Sequence, residues 1–164
     1  RKQFFPIVIL YLLALSFCWF NMLSHFLLWF LTVLLTSFYT ESESIQVLRE
    51  GTPTPRELLL RKWKVCTNYI ILMYTPILVV NTICHVDYFF VNLLFIPTQL
   101  ALLYFGISLK YAGYRPNKSQ PGNQIPLAIV SMCSVLPYLL PIPAILSFVY
   151  FYKAKDNLKK YLHD

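Results

Sequence analysis

Charged residues are scarce in this sequence. Only 13% of its 164 residues are Asp, Glu, Lys or Arg, whereas a soluble domain contains about 25%. Hydrophobic residues make up 57% of the chain, and the mean hydropathy is +0.56. This composition excludes an ordinary soluble enzyme, and it excludes a disordered chain, which needs low hydrophobicity and high net charge. The class that remains is an integral membrane protein.

Catalytic signatures are also missing. The chain has no GxxxxGK[ST] phosphate loop, no HExxH and no GxSxG, and none of its four glycines is set to cradle a phosphate. The apolar runs contain almost no ionisable residue of the kind that proton relays use. We therefore predict no catalytic residue, no cofactor and no enzymatic activity.

The four cysteines form no CxxC pair, and most fall within apolar runs. A cysteine in such a run usually behaves as a small apolar residue. Neither a disulfide framework nor a metal site is predicted. The net charge of +7 does not indicate nucleic-acid binding, because no basic run is interleaved with aromatic residues outside the apolar runs.

Five apolar runs are present instead, at about 3–20, 22–40, 65–84, 88–109 and 126–152. They are continuous and not alternating, so they indicate helices of about 20 residues and not barrel strands. We predict an all-α, polytopic helical membrane protein with about five to six spanning or re-entrant helices. Residues 1–164 form a single transmembrane domain in this interpretation. Its segments are a helical hairpin at 3–40, a polar insert at 41–64, a second hairpin at 65–109, a loop at 110–125, a Pro-broken segment at 126–152 and a basic amphipathic tail at 153–164.

Basic residues orient the chain. If the N-terminus is inside, most basic residues fall on the cytoplasmic side: Arg1, Lys2, and the Lys and Arg residues of 41–64 and 110–118. The turns near 20–25 and 84–88, on the opposite side, carry no Lys or Arg. Cytoplasmic loops are enriched in Lys and Arg, so we predict a cytoplasmic N-terminus. A signal peptide would also begin with basic residues, but no A-x-A-like cleavage site follows the first run.

The last apolar run leaves the side of the C-terminus open. Residues 126–152 contain Pro137, Pro141 and Pro143, and four lysines follow. A single span would put these lysines outside, while two halves of 13–14 residues are too short to cross a core of about 30 Å. A re-entrant pair broken at the prolines satisfies both constraints if protein shields its turn. The tail would then lie on the inner membrane surface.

The polar insert 41–64 contains two helix starts. Thr40 and Glu43 have capping-box spacing, and Gly51 suits the end of a short helix. Thr54, Pro55 and Glu57 then form a second capped start, from which a helix runs into the third apolar run. A rigid elbow of this kind is suited to pass motion from a soluble partner into the membrane, although a plain solvated loop has the same composition.

Polar residues within the apolar runs are mostly Ser, Thr, Asn and Gln. Such residues commonly form hydrogen bonds between helices. In an alternative interpretation, Asn92, Thr98 and Gln99 line a polar path for a substrate.

The segment from Phe38 to Lys62 contains acidic residues, a Leu48-Arg49 pair, several prolines and a Glu57-Leu58-Leu59 step. In this pattern it resembles the coupling region of type-2 ABC transporter permeases. The order of apolar runs resembles that family too. The resemblance implies the membrane subunit of an ATP-driven exporter, in a bacterial cytoplasmic membrane, working as a homodimer or in a heteromeric complex. It implies contact with a cytoplasmic ATP-binding subunit, where ATP itself would bind. The residues implied in this coupling are Glu41, Glu43, Leu48, Arg49, Pro53, Pro55 and Glu57.

Two other functions remain open from the residues alone. A non-catalytic scaffold or accessory subunit of a larger membrane complex fits the small size and the absence of intramembrane charges. A small membrane-bound enzyme could use 110–124 and the lysine-rich tail to attract anionic lipid headgroups, but no nucleophile and base can be named for it.

Overall fold

The computed structural model of the protein describes residues 4–20, 22–38, 48, 54–115 and 123–162. These residues form α-helices with two short 3-10 turns, at Val86–Tyr88 and Pro137–Leu139, and they contain no strand. The all-α class predicted from the sequence is therefore confirmed for this part of the chain. The helices are α1 (Phe4–Ser16), α2 (Leu23–Phe38), α3 (Pro55–Cys84), α4 (Phe89–Ala112), α5 (Gln124–Cys133) and α6 (Pro141–Leu162).

Helix α3 begins where its capping residues predict. Thr54 has an extended backbone, and its Oγ1 accepts a hydrogen bond from the backbone N–H of Glu57 at 3.3 Å. Pro55 occupies the first turn, where its missing N–H costs nothing. The helix then continues without a break for 30 residues, through Pro76 to Cys84. It is about 45 Å long at 1.5 Å per residue.

Helix α4 is the centre of the bundle. It packs against α2, α3, α5 and most extensively α6, and 14 of its 24 residues are buried. Gly106 permits one close approach on this helix, because a Cβ there would lie 3.3 Å from Cγ2 of Thr36 and 3.6 Å from Cδ1 of Leu127. The residue without a side chain thus lets α2 and α5 approach the same turn of α4.

The bundle has two chemically different ends. At one, which we call the basic end, Lys62 Nζ lies 5.6 Å from the centre of the Tyr111 ring and Asn157 Nδ2 donates to the Tyr111 carbonyl at 3.1 Å. At the other, the turn end, His85 Nε2 contacts the Trp19 carbonyl at 2.8 Å. All Lys and Arg residues of the described helices lie near the start of α3, the end of α4 or the last part of α6. The basic end therefore collects these positive charges, and the turn end has none among the described residues.

The predicted Pro-broken segment 126–152 divides into two helices of unequal length. Helix α5 ends at Cys133, and α6 begins at Pro141. Between them, the Ser134 carbonyl accepts from Gln99 Nε2 at 3.2 Å and the Pro137 carbonyl from Thr98 Oγ1 at 3.3 Å. The break thus lies beside the middle of α4, about 14 Å from its first residue at 1.5 Å per residue. Helix α6 returns from there to the basic end.

The basic tail is not a separate element in the described part of the chain. Residues 153–162 continue α6 without interruption. Leu158 and Ala154 on this segment are fully buried and belong to the same hydrophobic cluster as Tyr111 and Tyr114. The apolar face that the sequence assigned to a membrane surface is therefore packed against α4, while Lys159 and Lys160 remain exposed.

Two helical stretches are long and apolar enough to cross a membrane, Pro55–Cys84 and Val86–Ala112. The apolar helices α1, α2 and α5 are shorter, so the prediction of five to six spans is not confirmed by length. Large apolar side chains are nevertheless exposed on every helix of the bundle, as expected of a surface that meets apolar material. The most exposed of them include Leu12, Phe26, Leu72, Ile83, Phe90, Ile129 and Phe148.

Candidate functional site

The residues predicted to contact an ATP-binding subunit fall on the chain before and at the start of α3. Glu41, Glu43, Arg49 and Pro53 lie outside the residues that the structure describes. The other three are described, and their environments differ. Leu48 is 2% exposed and belongs to the main hydrophobic cluster, together with Leu58 and Leu59. Pro55 is also buried, whereas Glu57 is exposed.

These environments divide the predicted coupling residues by role. A buried leucine contributes to stability by removing its side chain from solvent, which is worth about 1.5–3 kcal/mol. The Leu48 side chain is therefore part of the hydrophobic core of the bundle. Glu57 and its neighbour Arg56 are the exposed charged side chains of the first turn of α3, and they are available to a protein approaching the basic end.

The predicted path residue Asn92 lies in a buried polar network at the turn end. Its Oδ1 is 2.5 Å from His25 Nε2. Its Nδ2 donates to Asn81 Oδ1 at 3.2 Å and to Thr82 Oγ1 at 2.7 Å. These two donations define the orientation of the Asn92 amide, so Oδ1 must accept, and Nε2 of His25 must carry the proton. Asn92 thus joins α2, α3 and α4.

The network continues into the turn between α1 and α2. Asn81 Nδ2 donates to the Cys18 carbonyl at 3.1 Å and to Ser24 Oγ at 3.3 Å. His25 also packs edge-on against Phe95, with ring centres 4.9 Å apart. A single chain of donors and acceptors therefore runs from His25 through Asn92 and Asn81 to the backbone at Cys18. It joins the α1–α2 turn, α2, α3 and α4 at the turn end.

The other two predicted path residues, Thr98 and Gln99, are fully buried against the break between α5 and α6. Both donate to carbonyls of that break, as described above. Trp29 on α2 reaches the same place, where its Nε1 donates to the Ser131 carbonyl at 2.9 Å and to Ser134 Oγ at 3.2 Å. Gln99 Oε1 has no hydrogen-bond partner among the described residues. The structure thus places Thr98 and Gln99 together, and Asn92 apart from them.

A groove of about 300 Å³ lies between α3 and α4 in the half of the bundle nearer the turn end. Its walls are mostly apolar and include Leu78, Val79 and Ile96, while Thr82 and Asn92 contribute polar atoms. Those polar atoms already bond each other. The groove therefore offers shape and apolar surface, and the polar groups of Thr82 and Asn92 are engaged within the bundle.

Aromatic and basic side chains are interleaved at the basic end. The Tyr111 ring, fully buried, has Lys62 Nζ at 5.6 Å and Lys110 Nζ at 5.4 Å from its centre, within the range of cation–π attraction. Trp63 stacks on Tyr104 with ring centres 4.3 Å apart. These contacts connect the first turns of α3 to the last turns of α4 and fix the geometry of the end to which the insert is attached.

Sequence reasoning did not identify the partners in these networks. His25 lies in the second apolar run of the sequence, close to a turn, and the structure buries it against Asn92. Trp29, in the same apolar run, is 8% exposed and is bonded to α5 and the break. A buried pair such as Thr32 and Tyr74, 2.6 Å apart, joins α2 to α3. No spacing within one helix signals such pairs, because each partner lies on a different helix.

Metal-binding residues do not assemble within the described parts of the chain, where no three His, Cys, Asp or Glu side chains come together. The described cysteines are free thiols, with Cys18 and Cys66 buried and Cys84 exposed. The networks above offer hydrogen bonding and packing between helices.

Comparison with known proteins adds no relative from which a function could be carried over. No family model matches the chain, and no match was found to a curated protein or to a solved structure.

Proposed function

We propose that this chain is the membrane subunit of an ATP-driven exporter of the ABC type. Residues 41–60 would contact a cytoplasmic ATP-binding subunit and couple it to the movement of substrate across the membrane. The observation that carries this proposal is the continuity of α3. One uninterrupted helix leads from the capped start beside the insert to the polar network at the opposite end. Its length of 30 residues suffices to cross a membrane.

The exposed apolar surface supports placement in a bilayer. Side chains such as Leu72 and Ile83, which are 73% and 72% exposed on α3, have no apolar neighbour to cover them within the described chain. Lipid would cover them at no cost in hydrophobic free energy. With the basic end in the cytoplasm, the positive charges at the start of α3 and the end of α4 obey the positive-inside rule. We propose a bacterial cytoplasmic membrane on the strength of the resemblance at 38–62.

Helix α3 is suited to transmit force because it is bonded to a different neighbour at each level. At the basic end, Trp63 stacks on Tyr104 of α4. About two thirds of the way along, Tyr74 donates to the Leu28 carbonyl of α2 at 2.8 Å. At the turn end, Asn81 contacts the α1–α2 turn. A displacement of Pro55 by a partner would therefore reach α4, α2 and α1 through one rigid helix.

The partner subunit would bind at exposed charges of the insert. Glu57 is the exposed charge of the predicted coupling set within the described residues, and Glu41, Glu43 and Arg49 would add charges to the same contact. The buried Leu48 would anchor the insert to the bundle. ATP would bind to the partner and not to this chain, and the chain would function as a homodimer or in a heteromeric membrane complex. Substrate movement would take place where Thr98 and Gln99 meet the break between α5 and α6.

Charge reversal at the insert tests the proposal. The wild-type chain, Arg49→Glu, Glu57→Lys and the control Lys160→Glu would each be purified from native membranes in mild detergent, and the accompanying proteins identified by mass spectrometry. We expect an ATP-binding subunit with the wild type and with Lys160→Glu, and much less of it with the two insert variants. Leu48→Asp is unsuitable, because a carboxylate at a buried position would destabilise the bundle itself. Equal recovery from all four chains, or no ATP-binding subunit with any, would contradict the proposal.

A second candidate function is a non-catalytic scaffold in a larger membrane complex. One observation favours it: Asn92, Thr98 and Gln99 are buried inside the single chain, at 5%, 0% and 0% exposure, and each bonds another part of the bundle. Side chains engaged in this way stabilise a rigid body. Recovery of membrane proteins alone in the purification above would favour the scaffold over the exporter.

A further inference from the structure

The groove between α3 and α4 is open towards the outside of the bundle, because Val79, Ile83 and Leu93, which line it, are all exposed. The lining residues of α3 recur at intervals of three and one from Thr75 to Ile83, so they share one face of that helix. The α4 residues that line the groove begin at Phe89, next to the connection between the two helices. The groove therefore runs along both helices, from the turn end towards the middle of the bundle.

The dimensions of the groove limit what can fill it. Thr75 and Ile83 are eight positions apart, which gives a length of about 12 Å at 1.5 Å per residue. A volume of about 300 Å³ over that length corresponds to a channel about 6 Å wide, whereas a helix with its side chains is about 10–12 Å across. The groove is therefore too narrow for a helix of another protein, and its width suits a single extended chain.

The chemistry of the walls favours a hydrocarbon chain over an extended peptide. Six of the nine lining residues are apolar, and the polar side chains of Thr82 and Asn92 bond each other. A peptide would bring a backbone donor and acceptor at every residue into surroundings that cannot satisfy them, at a cost in free energy. A hydrocarbon chain has no such groups.

The position of the groove matches one leaflet of a bilayer. If α3 and α4 span a membrane, as proposed above, Ile83 and Phe89 lie near its boundary at the turn end, and Thr75 lies about 12 Å deeper. The hydrocarbon core is about 30 Å thick, so each leaflet contributes about 15 Å. An acyl chain of that leaflet has the direction of the groove and a similar length.

A single carboxylate stands near the mouth of the groove. Asp87 lies in the 3-10 turn Val86–Tyr88, between the two helices that form the walls, and it is exposed. It is the only Asp, Glu, Lys or Arg among the described residues of the turn end. Its charge attracts an ammonium group and repels an anionic headgroup that lacks one.

We propose that the groove binds one acyl chain of a phospholipid from the leaflet at the turn end, and that Asp87 favours a headgroup with an ammonium group, such as phosphatidylethanolamine. The acyl chain would lie between Val79 and Leu93, and the headgroup beside the connection between α3 and α4. This inference rests on the membrane placement in the proposed function, but it does not require an ATP-binding partner.

Photoactivatable phospholipids test the site in reconstituted vesicles. The vesicles would contain equal amounts of phosphatidylethanolamine and phosphatidylglycerol, with a trace of either lipid carrying a diazirine on its acyl chain. After irradiation, peptide mass spectrometry would count adducts at the groove and, as a reference, at Ile129, which is exposed on α5. Leu93→Trp and Val79→Trp would narrow the groove from either wall. The matched control is Leu72→Trp, exposed on α3 outside the groove.

With the phosphatidylethanolamine probe, we expect severalfold more adducts at the lining residues than at Ile129. Each of the two groove variants should lower the yield at the remaining lining residues severalfold, and Leu72→Trp should leave it unchanged. Adducts at the groove no more frequent than at Ile129, or unaffected by both groove substitutions, would overturn the lipid site.

The headgroup preference is measured by comparing the two probes. In the wild type we expect severalfold more groove adduct from phosphatidylethanolamine than from phosphatidylglycerol. Asp87→Asn should abolish this difference, and Asp156→Asn, an exposed carboxylate at the basic end, should preserve it. Equal yields from the two probes in the wild type, or an unchanged preference in Asp87→Asn, would overturn the role of Asp87.

Alkaline carbonate extraction of native membranes tests the shared premise separately. Retention of the chain in the membrane fraction is expected, and its release would overturn both the membrane placement and this inference. Failure to recover an ATP-binding subunit would contradict the proposed function alone, because lipid binding in the groove depends only on α3, α4 and their connection.

Discussion

His25 Nε2 lies 2.5 Å from Asn92 Oδ1, although the two residues are 67 positions apart in the sequence. Because the amide nitrogen of Asn92 donates to Asn81 and Thr82, the contact with His25 is a hydrogen bond of defined direction. It connects the first turn of α2 to the first turn of α4, and through Asn81 to α3 and to the α1–α2 turn. The end of the bundle without basic residues is thus joined by polar contacts and not by apolar packing alone.

Replacing Asn92 tests the importance of this network. Asn92→Leu removes a partner from His25, Asn81 and Thr82 at once, and we expect the free energy of unfolding to fall by about 1–3 kcal/mol. Asn68→Leu is the matched control, since Asn68 is exposed on α3. Thermal unfolding in detergent measures both. Equal melting temperatures for the two variants would mean that the network contributes no net stability.

Tyr74, which lies nearer the middle of α3 than Asn81 does, tests the contact between α2 and α3. Its hydroxyl is fully buried and contacts both the Leu28 carbonyl, at 2.8 Å, and Thr32 Oγ1, at 2.6 Å. Tyr74→Phe keeps the ring and removes these bonds, so we expect a loss of about 0.5–1.5 kcal/mol in unfolding free energy. Tyr69→Phe, at a position 63% exposed on the same helix, should leave stability unchanged. A larger loss from the Tyr69 variant would contradict the assignment of Tyr74 as the tie between α2 and α3.

Gly106 permits a close approach that a larger residue would prevent. We expect Gly106→Leu to destabilise the bundle by about 1–3 kcal/mol through overpacking. Gly106→Ala should be tolerated better, because its Cβ would meet Thr36 Cγ2 at 3.3 Å and needs only a small shift. Adding Thr36→Ser removes that methyl group and keeps the hydroxyl, which bonds the Val33 carbonyl. Circular dichroism measures the melting temperatures of the three variants. We expect the highest value for the double variant, a lower one for Gly106→Ala and the lowest for Gly106→Leu. Any other order would contradict this packing.

Substitutions of Gln99 test whether its side-chain amide has a structural role or lines a substrate path. Its Nε2 bonds the Ser134 carbonyl, while its Oε1 is buried with no partner among the described residues. Gln99→Leu removes one bond and one uncompensated oxygen together, so we expect a change below about 1 kcal/mol. Gln99→Glu would bury a carboxylate beside a carbonyl, with a penalty of several kcal/mol. Chemical unfolding in detergent compares them. Equal stability of Gln99→Glu and the wild type would indicate that water reaches this position.

Local features of the sequence predicted local structure well. The capped start at Thr54, Pro55 and Glu57 is where α3 begins, because capping depends on residues three positions apart in the chain. The three prolines at 137, 141 and 143 indicated a break, and the regular helix is interrupted between Cys133 and Pro141. Both features arise from backbone chemistry that the adjacent residues determine.

Features that depend on neighbouring helices could not be predicted in the same way. The tail 153–162 has lysines at a spacing that suits a membrane surface, but its apolar residues Ala154 and Leu158 pack against the bundle and extend α6. Leu48, a member of the predicted coupling set, is buried in the main hydrophobic cluster, and the residues next to it in the sequence do not indicate that burial. The pairing of His25 with Asn92 joins two helices whose relative rotation the sequence pattern does not specify. Each of these depends on which face of a helix meets which neighbour.

Sided labelling of two single cysteines tests the membrane topology most directly. Asp87→Cys at the turn end and Lys160→Cys at the basic end are both exposed positions. Each would be placed in a Cys84→Ser, Cys133→Ser background, because these two native thiols are not buried, and treated with a membrane-impermeant maleimide. We predict that Asp87→Cys is labelled in intact cells and that Lys160→Cys is labelled only after permeabilisation. Labelling of Lys160→Cys in intact cells would mean that α5 and α6 do not return to the cytoplasmic side, and it would contradict a membrane subunit whose basic end meets a cytoplasmic partner.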